Sequence, residues 1–172
     1  HSSKDLYVQG YFEYDSKKSG GVTISHLRYD NKNINKPYYV TEPQIVVVTK
    51  DIYFRMFDII NNIKENGILL INTIKNEAEL KKLLPSKVKN IIYNKNIKVY
   101  YIDAENIAAN NKINGKISKI MEVLILNLLN VLNATKILEE SMEKTFKTKG
   151  EDIVNNNIKA IHESLDNLKE LN

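Results

Sequence analysis

Apolar and polar residues alternate over Leu6–Tyr14 (LYVQGYFEY). Leu6, Val8, Phe12 and Tyr14 fall on one side and Tyr7, Gln9, Tyr11 and Glu13 on the other, the period of a half-buried strand. The polar stretch Asp15–Gly21 (DSKKSGG) reads as a loop, and the β-branched run Val22–Tyr29 (VTISHLRY) as a second strand. Asp30–Lys36 is polar, runs into Pro37 and predicts another loop, after which Tyr38–Thr41 is compatible with a strand extension. Gln44–Thr49 (QIVVVT), Gly67–Asn72 (GILLIN) and Ile97–Ile102 (IKVYYI) are short, nearly continuous apolar runs, as carried by strands covered on both faces.

Helical spacing lies between these runs. Tyr53, Met56, Phe57, Ile60 and Ile63 predict a helix over Ile52–Ile63, closed by Asn66–Gly67. Asn76 with Glu79 three residues on has capping-box spacing, and Leu80, Leu83 and Leu84 form the inner face that follows. Pro85 ends that helix or begins the next, which runs to Asn94. Ile117–Leu132 is strongly amphipathic, with Ile117, Ile120, Met121, Leu124, Ile125, Leu128, Leu129 and Leu132 on one stripe that predicts the most buried helix. Ala134–Asn172 reads as two helices parted near Lys149–Gly150. Their narrow stripe of Val154, Ile158, Ile161, Leu165 and Leu168 suits docking on the body or on a partner helix. Alternating strands and helices predict an α/β fold: a three-layer α/β/α sandwich with a mixed or mostly parallel sheet, including the first two strands, and C-terminal helices. The length of 172 residues fits a single domain, 1–172, with 134–172 as its helical C-terminal part.

Composition removes several chemistries. With no cysteine there is no disulfide, no thiol nucleophile and no Cys-ligated zinc or iron–sulfur cluster. His1, His26 and His162 are too scattered for a metal-ligand motif. The net charge of +4 comes from lysines spread along the chain; only Arg28 and Arg55 are arginines. Without clustered cations and aromatic platforms, no nucleic-acid partner is expected. No apolar run approaches the ~18–20 residues of a membrane span, and no secretory leader is recognisable, so no membrane and a cytoplasmic location are expected.

One segment concentrates candidate chemistry, Asp15–Arg28 (DSKKSGGVTISHLR). Gly20 and Gly21 permit positive φ and close approach of a ligand, and successive amides in such a turn can form an anion nest. Lys17 and Lys18 add charge, Ser19 and Ser25 add hydroxyls, and Arg28 offers a planar fork for phosphate or carboxylate. The order is neither that of a Walker A loop nor GxGxxG. On spacing alone, a phosphate site and a tight turn with exposed lysines both stay open. Ser25 and His26 are neighbours on a strand and cannot form a dyad. Asp103 and Glu105 follow a strand end where α/β ligands bind, but capping by Asp103 is the simpler role. Tyr38, Tyr39, Tyr100 and Tyr101 read as strand residues, and Asn133-Ala-Thr135 as a chance glycosylation sequon.

Tyr11–Arg28 (YFEYDSKKSGGVTISHLR) closely resembles the pyruvate:ferredoxin (or flavodoxin) oxidoreductase family. The resemblance is to its third domain, homologous to the gamma subunit of multi-subunit 2-oxoacid:ferredoxin oxidoreductases. It continues through Asn66–Thr73 (NGILLINT), Lys82–Val88 (KLLPSKV), Asn96–Ala108 (NIKVYYIDAENIA) and Lys144–Asn157 (KTFKTKGEDIVNNN). The family's opening strand, its Gly-Leu-Gly-Ser-Asp-Gly-like loop and the following helix are not in this chain. Thr41–Ile52 (TEPQIVVVTKDI) departs from the family's Ala-Asp-Phe-Val-Ala-Cys/Ser-His run, so no ligand contact is carried over there.

The resemblance implies an enzyme of anaerobic metabolism that oxidatively decarboxylates pyruvate to acetyl-CoA. It would use thiamine diphosphate with Mg, and pass electrons through [4Fe–4S] clusters to ferredoxin or flavodoxin. It further implies that this domain binds none of these cofactors, is inactive alone, and packs against the other domains or subunits of a homo-oligomer. There Lys17, Lys18, Ser19, Gly20, Gly21, Ser25 and Arg28 would help hold the phosphates of coenzyme A. The alternative is a purely structural interdomain or subunit-interaction module with no ligand, and no residue here is expected to be catalytic or to bind metal.

Overall fold

A computed structural model describes residues 7–14, 23–30, 41–113 and 116–172. The chain divides into two compact units, His1–Glu42 and Pro43–Asn172. In the first, β1 (Tyr7–Tyr14) and β2 (Thr23–Asp30) form an antiparallel two-stranded sheet of their own, running from the pair Tyr7–Asp30 to the pair Tyr14–Thr23. They do not extend the larger sheet, as the sequence reading had them do. The loop Asp15–Gly21 and the possible extension over Tyr38–Val40 lie outside the described residues.

The second unit is built on β3 (Ile45–Val48), β4 (Ile68–Asn72), β5 (Lys98–Ile102) and β6 (Lys169–Glu170), in that spatial order. The first three run parallel and β6 is antiparallel to β5. Their apolar runs serve two cores with period two. Ile45, Val47, Leu70, Tyr100 and Ile102 belong to one face, and Val46, Val48, Leu69, Ile71, Val99 and Tyr101 to the other. The first face is covered by α4 (Ala104–Asn110), α5 (Ser118–Leu128), α6 (Ala134–Phe146) and α7 (Glu151–Asn167). The second is covered by α1 (Tyr53–Met56), α2 (Glu77–Leu83) and α3 (Ser86–Asn94). This is the expected α/β fold in three layers.

The helix expected over Ile52–Ile63 is a single turn, α1. Phe57 leaves it in an extended conformation (φ −141°, ψ 151°), and the amides that follow bond to other elements: Lys64 N–H to the Pro43 carbonyl and Asn66 N–H to the Lys95 carbonyl. Ile60 and Ile63 are still buried, but by turns. The tertiary bonds override the helical spacing. The stripe of α5 is buried through Ile120, Met121 and Leu124, yet the helix stops at Leu128 and Leu132 is 80% exposed.

Asn130 explains that stop. It takes φ 56°, its N–H bonds to the Asn127 carbonyl and the Val131 N–H to the Leu126 carbonyl, which is a Schellman motif. Asn96 closes α3 and Lys112 closes α4 in the same way, at φ 52° and φ 56°. Lysine has no local hydrogen bond that favours the left-handed region, whose cost is roughly 1–2 kcal/mol. Lys112→Gly is therefore expected to raise stability by about 0.5–1 kcal/mol in chemical denaturation; a neutral or destabilising change would show that the Lys112 side chain contributes contacts of its own.

Candidate functional site

Two places hold the candidate chemistry. Of the residues singled out in the sequence, Lys17, Lys18, Ser19, Gly20 and Gly21 lie outside the described residues, in the stretch joining Tyr14 to Thr23, themselves paired across β1 and β2. Ser25 and Arg28 sit on β2, opposite Phe12 and Gln9. The register fixes these two backbone positions and tests no ligand.

The second place is the carboxyl edge of the parallel strands, the side on which α/β sheets bind ligands. Asn72, the last residue of β4, is 5% exposed. Its Nδ2 donates to the Thr49 carbonyl beyond β3 (3.1 Å), and its Oδ1 accepts from the Ala104 N–H beyond β5 (2.9 Å). One side-chain amide thus ties three strand ends. The neighbouring Thr73, 6% exposed, donates its hydroxyl to Asp51 Oδ2 (2.6 Å) and accepts from the Lys75 N–H (3.2 Å). Lys75 Nζ reaches the same Asp51 oxygen at 2.8 Å.

Burial alone would raise the Asp51 carboxyl, but the hydrogen bonds from Lys75 and Thr73 and the Lys75 charge outweigh it and hold it below its ordinary range. A carboxylate so engaged stays anionic at neutral pH and is not available as a base. A depressed folded pKa means that the unfolded state binds more protons between the two values. The stabilisation is thus present above the ordinary Asp value and is lost as pH falls through the folded one. Accordingly, the stability gap between the natural protein and Asp51→Asn should be widest near neutrality and narrow below about pH 4. Parallel acid titrations followed by circular dichroism check this, and a pH-independent gap would refute it. Asp58 and Glu77 are also lowered, by Lys87 and Lys81, but these pairs are exposed and contribute little.

Asp103 Oδ1 accepts from the Asn106 N–H (2.9 Å), capping α4 as expected. The sequence reading missed Asp51, Asn72, Thr73 and Lys75. The available signal was a polar Asn-Thr pair directly ending a buried apolar run.

The described part is a three-layer α/β domain whose carboxyl edge is polar and internally paired through Asn72, Thr73, Lys75 and Asp51. The chain belongs to the pyruvate ferredoxin/flavodoxin oxidoreductase family, which it matches over residues 2–166. It is 39% identical over 170 residues to a pyruvate dehydrogenase (NADP(+)) of Cryptosporidium parvum, covering 96% of this chain and 9% of that protein. It is 36% identical to the pyruvate:ferredoxin oxidoreductase of Moorella thermoacetica, covering 97% and 14%. The chain thus spans about a seventh or less of the length of these curated relatives.

Among solved structures it resembles the pyruvate oxidoreductase subunit PORC of Thermotoga maritima, with a TM-score of 0.72 at 21% identity over 97% of this chain and 83% of that one. It also resembles a 2-oxoglutarate:ferredoxin oxidoreductase of Magnetococcus marinus, solved with 2-oxoglutarate, coenzyme A and succinyl-CoA bound. There the TM-score is 0.66 at 14% identity over 95% and 26%. At these identities the likeness concerns the fold.

Proposed function

We propose that this chain is the gamma-like domain, 1–172, of an enzyme that oxidatively decarboxylates pyruvate to acetyl-CoA with ferredoxin or flavodoxin as acceptor. It packs there against the catalytic domains of a cytoplasmic homo-oligomer and helps hold coenzyme A. Thiamine diphosphate, Mg and [4Fe–4S] clusters supply the carbanion and electron chemistry on other domains. The residues here do not fit a cluster, since the chain has no cysteine to ligate one. Among the described residues no helix is long and apolar enough to cross a membrane.

The observation that carries the coenzyme A reading is the sequence of the segment Lys17–Arg28, which holds two glycines, two lysines, hydroxyls and a scarce arginine, with Ser25 and Arg28 on β2. Backbone amides and cations together suit phosphate oxygens. Arg28 has the largest weight, because a bidentate fork is something lysine cannot supply. Losing a charge-assisted hydrogen bond costs on the order of 1.5–3 kcal/mol. In the full-length enzyme, Arg28→Ala is expected to raise the KM for coenzyme A about tenfold or more, with the pyruvate KM nearly unchanged. An unchanged coenzyme A KM in a variant of normal thermal midpoint would end this reading. A lowered midpoint with both KM values affected alike would favour the structural module instead.

A further inference from the structure

We propose that the carboxyl edge of β3 and β4 is the face by which this domain docks on the rest of its enzyme, with Ile74, Ile52 and Met56 as apolar anchors. This rests on reading the chain as one domain of a larger oxidoreductase and adds the surface it uses. Seven large hydrophobic residues are exposed among the described residues, and three of them lie at this edge: Ile74 at 77%, Met56 at 52% and Ile52 at 45%. Ile74 stands between Thr73 and Lys75, whose hydroxyl and ammonium both reach Asp51 Oδ2, at 2.6 and 2.8 Å. Ile52 directly follows Asp51, so one carboxylate oxygen joins the two loops with an isoleucine beside the junction on each. Met56 comes four residues after Ile52, on the same side of the single turn α1, and Phe54 on the other side is buried.

Ile74 is exposed on a loop with little freedom. The Thr73 N–H bonds to the Ile102 carbonyl (2.8 Å), Thr73 Oγ1 accepts from the Lys75 N–H (3.2 Å), and Asn76 and Glu79 cap α2 reciprocally. A β-branched side chain held out by a fixed backbone loses little further entropy when a partner buries it, which is the property of a preorganised anchor. Small-molecule sites are concave, whereas these side chains project. They fit a protein partner that offers apolar depressions. The Asp51–Lys75 pair is satisfied within the edge and needs no counter-charge from that partner, and the exposed Lys50 and Arg55, next in sequence to Asp51 and Met56, supply a charged rim.

The partner is assigned to the same enzyme on length. The curated relatives continue far beyond the matched region, which makes up 9% and 14% of them, so most of the surface this edge can meet belongs to their other domains.

The three methionines of the chain provide the test. A brief hydroxyl-radical pulse on the native full-length enzyme, read by mass spectrometry, is compared with the same pulse on enzyme unfolded in urea. Met121 and Met142 are buried within this domain and report that it is folded; Met56 is exposed on it and reports docking. The expected result is that Met56 is oxidised at least about fivefold more slowly in the native enzyme than in the unfolded one, with or without coenzyme A. A benzophenone amino acid in place of Ile74 should then cross-link to another domain of the enzyme. Weaker protection of Met56 while Met121 and Met142 are protected would overturn the proposal. So would protection that appears only with coenzyme A, which would make the edge a ligand site, or cross-links confined to this domain or to the same edge of a second copy. Neither readout depends on coenzyme A affinity, so this inference and the Arg28 reading fail on separate measurements.

Discussion

Asn72→Leu is expected to cost about 2–6 kcal/mol of unfolding free energy, out of proportion to a change of one side chain of similar size. The reason is geometric. The Asn72 amide satisfies the Ala104 N–H at 2.9 Å and the Thr49 carbonyl at 3.1 Å, and leucine satisfies neither. Each buried group left without a partner costs roughly 1–3 kcal/mol. Asn72→Asp separates the two contributions. A carboxylate oxygen still accepts from the Ala104 N–H, but the other oxygen faces the Thr49 carbonyl and repels it. The aspartate variant should therefore lie between the natural protein and the leucine variant at low pH, where a protonated carboxyl can donate, and lose that advantage as pH rises. Urea unfolding at two pH values measures both effects. If Asn72→Leu proves as stable as the parent, the three strand ends are held by the sheet alone.

Leu70→Ala should be comparably damaging by a different route. Leu70 is fully buried in the middle of β4, within the core formed by α4, α5, α6 and α7. Removing its branched end combines lost transfer energy with a cavity that a sheet flanked by strands on both sides cannot close, about 2–5 kcal/mol in all. For a protein of this size each kcal/mol lowers the midpoint by roughly 2–4 °C. Leu132→Ala makes the contrast, since that leucine is 80% exposed and its loss should stay within about 0.5 kcal/mol. Equal effects at the two positions would contradict the placement of the core.

The strands were legible because both-face burial leaves an unbroken apolar run, and β3, β4 and β5 fall within the predicted segments. The start of α2 was legible for a local reason. Asn76 and Glu79 exchange hydrogen bonds at 3.0 Å each, a bond pattern written in two residues. Pro85 both ended α2 and preceded α3. What depends on distant contacts was not legible. The two-residue β6 has no pattern of its own and exists through its pairing with β5. The helix α4 was read only through its cap.

The tail shows a subtler failure. Large residues at Val154, Ile158, Ile161 and Leu165 mark the apolar stripe, yet the most buried line of α7 is Asn157, Ala160, Ile161 and Ser164. Small residues let α7 approach α5 and α6 closely, and hydrophobic spacing does not register them. At the carboxyl edge, Asn72 and Thr73 were overlooked because their importance lies in what β3 and β5 bring to them. The glycine-containing segment Lys17–Gly21 was conspicuous in sequence and lies outside the described residues.

Asn66–Gly67 has a consequence for the chemical ageing of the molecule. An Asn-Gly step is the sequence in which a backbone nitrogen most readily attacks the preceding side-chain amide, closing a succinimide that opens to aspartate or isoaspartate. Here the attacking Gly67 N–H is bonded to the Lys64 carbonyl at 3.0 Å, and the Asn66 amide oxygen is held by Asn96 Nδ2 at 2.7 Å. Attack on the Asn66 side chain therefore requires that the hydrogen bond from the Gly67 N–H to the Lys64 carbonyl first break. Isoaspartate at position 66 would thus accumulate only in molecules whose turn has opened, and its slow appearance on storage is a clock for local unfolding where β4 begins.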